Sequence, residues 1–199
     1  NTQSDTFTKA DGSQVTCDFM NREDQGSGFS RGENFTRASL GLKNAGSMHF
    51  ILPDEGTSVE DLLASPETLQ EALSGGEERS GMVTWKIPKF DQSSKRALEA
   101  SLQALGIEQA FTKGADFSGL SNEAATPIWI SSVTQESRVA IDEKGVVAAA
   151  YTEVGMDAGA APIEDPDQAD MILDRPFLYA ITGPEGELLF LGVCQDPTA

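Results

Sequence analysis

The run Gly145-Val146-Val147-Ala148-Ala149-Ala150-Tyr151-Thr152-Glu153-Val154-Gly155-Met156 places its apolar side chains two residues apart. Val146, Ala148, Ala150, Thr152, Val154 and Met156 fall on one face of an extended chain, apolar or nearly so throughout. Val147, Ala149, Tyr151, Glu153 and Gly155 fall on the other, which can meet water. No proline interrupts the run, so it can join a hydrogen-bonded ladder on both sides and fill a strand slot with one face on a core. Alanine is nevertheless a poor strand former, and Gly145 and Gly155 weaken the strand further. Beyond it, residues 157–170 hold Pro162 and Pro166 among Asp157, Glu164, Asp165, Asp167 and Asp170, a composition that suits an exposed loop. The pattern describes a loop whose first part can become a strand. A plain surface connection is the simpler reading of the pattern alone.

Outward from this run, most of the chain reads as strand. Val15–Met20 alternates apolar with polar. Phe35–Leu42 and Met48–Leu52 are apolar, the second ending at the turn Pro53-Asp54-Glu55-Gly56. Ser58 reads as the N-cap of a short helix carrying Val59, Leu62 and Leu63. Pro66 opens another carrying Leu69, Ala72 and Leu73, stopped by Gly75-Gly76. Met82–Phe90 returns to strand. Ser94–Leu105 reads as the clearest helix, with Ala97, Leu98, Ser101, Leu102 and Leu105 on one face and Gly106 closing it. A long strand is expected from Ile128 to Ile141. The strands Phe177–Ile181 and Leu188–Val193 are separated by the hairpin turn Gly183-Pro184-Glu185-Gly186. No internal repeat and no linker divides the chain. The fold class is α+β: mostly antiparallel strands with short helices between them.

Several motifs now fall in order. Ile141–Thr152, "IDEKGVVAAAYT", and Leu173–Ile181, "LDRPFLYAI", accompany "FILPDE" (Phe50–Glu55), "IPKF" (Ile87–Phe90), "LGI" (Leu105–Ile107), "AF" (Ala110–Phe111), "ADFSGLS" (Ala115–Ser121) and "FLGV" (Phe190–Val193). This ordered set, spanning essentially the whole chain, resembles the serpin family of serine protease inhibitors. The resemblance implies a serpin-like multi-sheet fold. Residues 1–199 would be the C-terminal part of its single domain, with the reactive-centre loop at about 143–170 and an N-terminal half preceding Asn1. It implies a suicide substrate rather than an enzyme: a target serine protease cleaves the loop, the loop enters the main sheet as a strand, and the acyl-enzyme is trapped.

Individual positions carry over with the resemblance. Glu143, Gly145, Val146, Ala148, Ala149, Ala150 and Thr152 form the hinge, whose small uncharged face is what insertion requires, since a charge there would be buried unpaired. The scissile bond corresponds to Gly159–Ala160, with Met156, Ala158 and Ala161 as alternative positions at the cut. Glu143 matches the acid that pairs with Lys89 at the top of the sheet. Gln135 stands where many serpins place a histidine near the sheet centre. No Arg or Lys lies between Lys144 and Arg175, which argues against a trypsin-like target, and small residues suit an elastase- or subtilisin-like one. The alternative is a non-inhibitory serpin acting as a carrier, chaperone or interaction module. Such proteins typically have bulky, charged or proline-containing hinges. The implied protein is secreted or extracellular.

Composition narrows the partners. The chain has 14 basic and 32 acidic residues, a net charge of −18, so nucleic acid and anionic lipid are repelled and a monomer is favoured. No apolar run approaches the length of a membrane helix. The single histidine, His49, and the two cysteines, Cys17 and Cys194, rule out the common zinc ligand sets, and no acidic spacing matches a calcium loop, so no metal or other cofactor is expected. The cysteines read as small buried hydrophobes, with pairing left open. Gly28-Phe29-Ser30-Arg31-Gly32 matches the nucleophile-elbow pattern literally. It lacks the apolar strand before it and the helix after it that the elbow needs. Asn34-Phe35-Thr36 is a glycosylation sequon, meaningful only in a secreted eukaryotic protein.

Overall fold

The computed structural model describes residues 1–43, 46–120, 128–146, 149–150 and 167–199, with the backbone alone at 145, 146, 149 and 150. Twelve strands and three short helices follow one another among these residues: β1 (Thr2–Thr8), β2 (Gln14–Arg31), β3 (Phe35–Gly41), β4 (Ser47–Pro53), α1 (Val59–Leu62), α2 (Pro66–Ser74), β5 (Glu77–Pro88), β6 (Phe90–Ala97), α3 (Glu99–Ala104), β7 (Thr134–Asp142), β8 (Gly145–Val146), β9 (Ala149–Ala150), β10 (Asp167–Ile172), β11 (Phe177–Thr182) and β12 (Leu188–Cys194). A 3-10 turn at Gln109–Phe111 precedes β7. The expected α+β class holds, with strands dominating.

An eight-stranded sheet runs in the order β10-β5-β2-β3-β4-β11-β12, with β1 paired to β2 beside this path. Strand β2 is the spine. Its residues 14–20 pair with β1, residues 19–31 with β5 and residues 29–31 with β3, and the β5 ladder is broken by a bulge between Asp24 and Ser27 where Gly26 takes φ 71°. The polar run Asn21–Gln25, unlike a strand by composition, lies inside β2 because β5 supplies its ladder, from Asn21 opposite Lys86 to Asp24 opposite Val83. Strand β5 shows the period-two rule directly: Val83, Trp85 and Ile87 are buried while Met82, Thr84 and Lys86 are half-buried.

The buried aromatics Phe7, Phe19, Phe29, Phe50, Trp85, Phe90 and Phe177 gather in one cluster with Met48, Met171 and Leu173. Phe50 meets Trp85 edge-on at 5.8 Å between ring centres. A second cluster joins Phe35, Ile51 and Leu178 to Val59 and Leu62 of α1 and Ala72 of α2. Both helices start as the sequence indicates. Ser58 and Ser65 cap them with reciprocal side-chain bonds to Asp61 and Thr68, and Pro66 opens α2.

The chain divides into two compact units, residues 1–92 with 139–199, and residues 93–138. In the smaller unit, the expected helix Ser94–Leu105 begins as strand. Residues 94–97 belong to β6, and the helix is only Glu99–Ala104, tied by Leu98 N–H to the Val133 carbonyl at 2.9 Å and by the Glu99 carboxylate to Val133 N–H at 2.8 Å. The expected strand from Ile128 starts only at Thr134. The four-stranded sheet has the order β6-β7-β8-β9. One further expectation is corrected. Strand β10, which runs parallel to β5, takes residues 167–170 out of the loop assigned to them.

Candidate functional site

Strand β7 delivers the chain to the site. Val139 and Ile141 are buried in the main cluster beside Phe90, which fixes the end of the strand. The backbone then turns at Glu143 and Lys144, where Lys144 N–H donates to the Asp142 carboxylate at 2.7 Å. It returns as β8, antiparallel to β7, with Ile141 opposite Val146 and Asp142 opposite Gly145. A further reversal brings Ala150 opposite Gly145 and Ala149 opposite Val146.

Three elements converge on Glu143. Lys89, in the bend between β5 and β6, is held by its own N–H to the Asp18 carbonyl of β2 at 2.8 Å and brings its ammonium to 3.2 Å from the Glu143 carboxylate. Thr2, at the start of β1, donates its hydroxyl to the same carboxylate at 2.8 Å. Glu143's own amide, the Thr2 hydroxyl and Lys89 together lower its pKa from the ordinary 4.5 to about 2. Lys89 was named from the sequence. Thr2 was not: it lies 141 residues away and carries no motif of its own.

The far anchor is β10. Asp167 lies opposite Gly81 of β5 so closely that a Cβ on Gly81 would meet the Asp167 carbonyl oxygen at 1.7 Å. Beyond the strand, Leu173 N–H donates to the Lys86 carbonyl at 2.9 Å, Thr8 N–H to the Asp174 carbonyl at 2.8 Å, and the Arg175 guanidinium to the Pro53 carbonyl at 2.9 Å. Both anchors belong to the larger unit.

The remaining sequence candidates fall as follows. Backbone alone is described at Gly145, Val146, Ala149 and Ala150. Ala148, Thr152 and the cut-site candidates Met156, Ala158, Gly159, Ala160 and Ala161 lie outside the described residues. Gln135 is exposed near the start of β7. Ser30 of the elbow-like pentapeptide sits in extended β2, donating to Glu78 at 2.6 Å and accepting from Arg37 at 2.9 Å. His49 instead bridges Ser39 and Thr182, at 2.6 and 2.9 Å. Cys17 and Cys194 are free thiols. Burial pushes Cys17 up to about 11 and Cys194 higher still.

Comparison with known proteins places this geometry. The family model described as Serpin (serine protease inhibitor) matches residues 1–197. Serpin-Z1B of Triticum aestivum is 30% identical over 207 aligned positions, covering 98% of this chain and 51% of its own. The thermophilic serpin tengpin in its native state superposes with a TM-score of 0.76 at 27% identity, over 98% of this chain and 50% of its own. Human thyroxine-binding globulin, solved in complex with thyroxine, gives 0.76 at 26% identity over 100% of this chain and 51% of its own. The chain thus spans about half the length of these proteins.

Proposed function

We propose an inhibitory role for this chain, which belongs to the serpin family: it supplies the bait loop of a trap for serine proteases. The observation that carries this reading is the root of the bait. The first residues after the Glu143–Lys144 turn run back along β7 in antiparallel register. A strand continuing from Val146 in that direction would lie beside β7, with Val146, Ala148, Ala150, Thr152, Val154 and Met156 facing one way and no charge among them.

In this reading the protease's serine hydroxyl attacks the carbonyl carbon of Gly159. The peptide bond to Ala160 breaks, the new amine end leaves with a proton, and the acyl ester stays on the serine. Release of that end frees residues 147–159 to extend beside β7 the ladder that Gly145 and Val146 begin, carrying the protease away from water-ready geometry. The contacts of Lys89 and Thr2 with Glu143 hold the root in place until the cut. The small residues around the bond fit an elastase- or subtilisin-like pocket. Open apolar surface supports an N-terminal half as an intramolecular partner. Leu188, Leu189 and Leu191 are 51%, 55% and 40% exposed on β12, an end strand of the large sheet.

The test uses the protein with both halves present. Incubation with an elastase-type protease should give a complex stable in SDS, and the liberated fragment should begin at Ala160. Cleavage without a complex would overturn the inhibitory reading. It would favour the carrier reading, which the likeness to thyroxine-binding globulin keeps in view.

A further inference from the structure

Of the five asparagines in the chain, Asn34 alone begins the pattern Asn-x-Ser/Thr, as Asn34-Phe35-Thr36. The structure puts it at the tip of the hairpin joining β2 to β3, with Glu33 and Asn34 both exposed. The turn is pinned on three sides. Gly32 N–H donates to the Phe35 carbonyl at 2.9 Å, and Asp54 N–H donates to the Asn34 carbonyl at 2.9 Å. The Phe35 ring, 2% exposed, packs into the second core cluster, so close under Gly32 that a Cβ there would stand 2.1 Å from it. The backbone of Asn34 is therefore used structurally, while its side-chain amide makes no hydrogen bond with the described residues. The adjoining turn residues Asp54, Glu55 and Gly56 are exposed as well, leaving solvent around the tip.

We infer that Asn34 is an N-glycosylation site. The donor would be an oligosaccharide linked through a diphosphate to a polyprenyl lipid. The Asn34 side-chain nitrogen forms a bond to the first sugar's anomeric carbon, that carbon's bond to the phosphate oxygen breaks, the lipid diphosphate leaves, and the amide gives up one proton. Phe35 is the aromatic middle residue and points inward, while Thr36 supplies the hydroxyl the acceptor pattern requires. The finished structure holds the modified nitrogen outward, so a glycan costs the fold no buried contact.

The full-length protein, secreted from a eukaryotic cell, should yield the tryptic peptide Gly32–Arg37 with added hexose and N-acetylhexosamine mass. Peptide N-glycosidase should remove that mass and leave an aspartate in place of the asparagine. Asn34→Gln should abolish the modification and Thr36→Ser retain it, with both variants melting as the parent does. An unmodified Gly32–Arg37 peptide from the secreted protein, or glycan mass persisting in the Asn34→Gln variant, overturns the assignment.

Discussion

The ammonium of Lys89 stands 3.2 Å from the carboxylate of Glu143, joining the bend after β5 to the turn after β7 across 54 residues of chain. Because Thr2 bonds the same carboxylate, the contact is a three-way clasp. Glu143→Ala should loosen the start of the segment that follows this turn and raise its rate of cutting by a non-specific protease about two- to fivefold, the scale expected of an exposed pair. Reversal of both charges, Lys89→Glu with Glu143→Lys, should recover part of the effect but not the share due to Thr2. Rates of limited proteolysis, read by mass, decide it. Equal rates in all variants would remove any role for the clasp. Since Glu143 is held near 2, the clasp should persist at pH 4, where an ordinary glutamate is largely protonated, and fail only as the pH falls through its folded value.

The far anchor makes a separate prediction. Gly81→Ala sets a methyl against the Asp167 carbonyl, where backbone must shift to admit it. It should destabilise the protein by about 1–3 kcal/mol and speed amide exchange in β10 first, since among the described residues β10 ends the sheet with β5 as its ladder partner. Gly28→Ala is the control. Its Cβ would meet only the Arg79 carbonyl, at an ordinary 3.9 Å. Matching exchange in the two variants would show that the close approach is not what seats β10.

The same two anchors mark how far the sequence could be read. Lys89 and Glu143 were legible because each sits in a motif with its own neighbours. Thr2 and Gly81 were not, because their roles depend on register between strands distant in sequence, and composition does not encode register. The Ser94–Leu105 misreading has a related cause. Its apolar spacing fits a helix, yet the ladder that β6 makes in the four-stranded sheet outweighs propensity up to Ala97, and only Glu99–Ala104 coils. Caps behaved differently. Ser58 and Ser65 act within three residues, so local sequence sufficed.

His49 gives the structure a pH dependence. Its ring bridges Ser39 on β3 and Thr182 on β11, and burial, then the Arg37 charge, lowers its pKa from 6.5. A histidine with a depressed folded pKa leaves stability intact above the unfolded value and loses it as the pH falls from there through the folded one. The melting temperature should therefore decline as the pH is taken below about 6.5. His49→Gln, which keeps a donor and an acceptor, should flatten that part of the profile while lowering the plateau slightly. Parallel profiles for the two proteins would exclude His49 as the titrating group.

The inhibitory reading makes its sharpest prediction at Val146. If residues 147–159 extend the ladder beside β7 after cleavage, Val146, already opposite Ile141, leads the new strand, and a cation there must be buried without a partner or block entry. Val146→Arg should turn the protein from trap to substrate. The proposed loop would still be cut, the stable complex with an elastase-type protease would fall at least about tenfold, a 1.4 kcal/mol bias between the two outcomes, and cleavage would not raise the melting temperature, as pairing of a new strand should in the parent. Val147→Arg, one residue on and facing the opposite way, should leave complex formation nearly unchanged, which separates burial of the charge from its mere presence in the hinge. If both variants trap protease as the parent does, the segment does not enter the sheet, and the fold serves some other purpose in this protein.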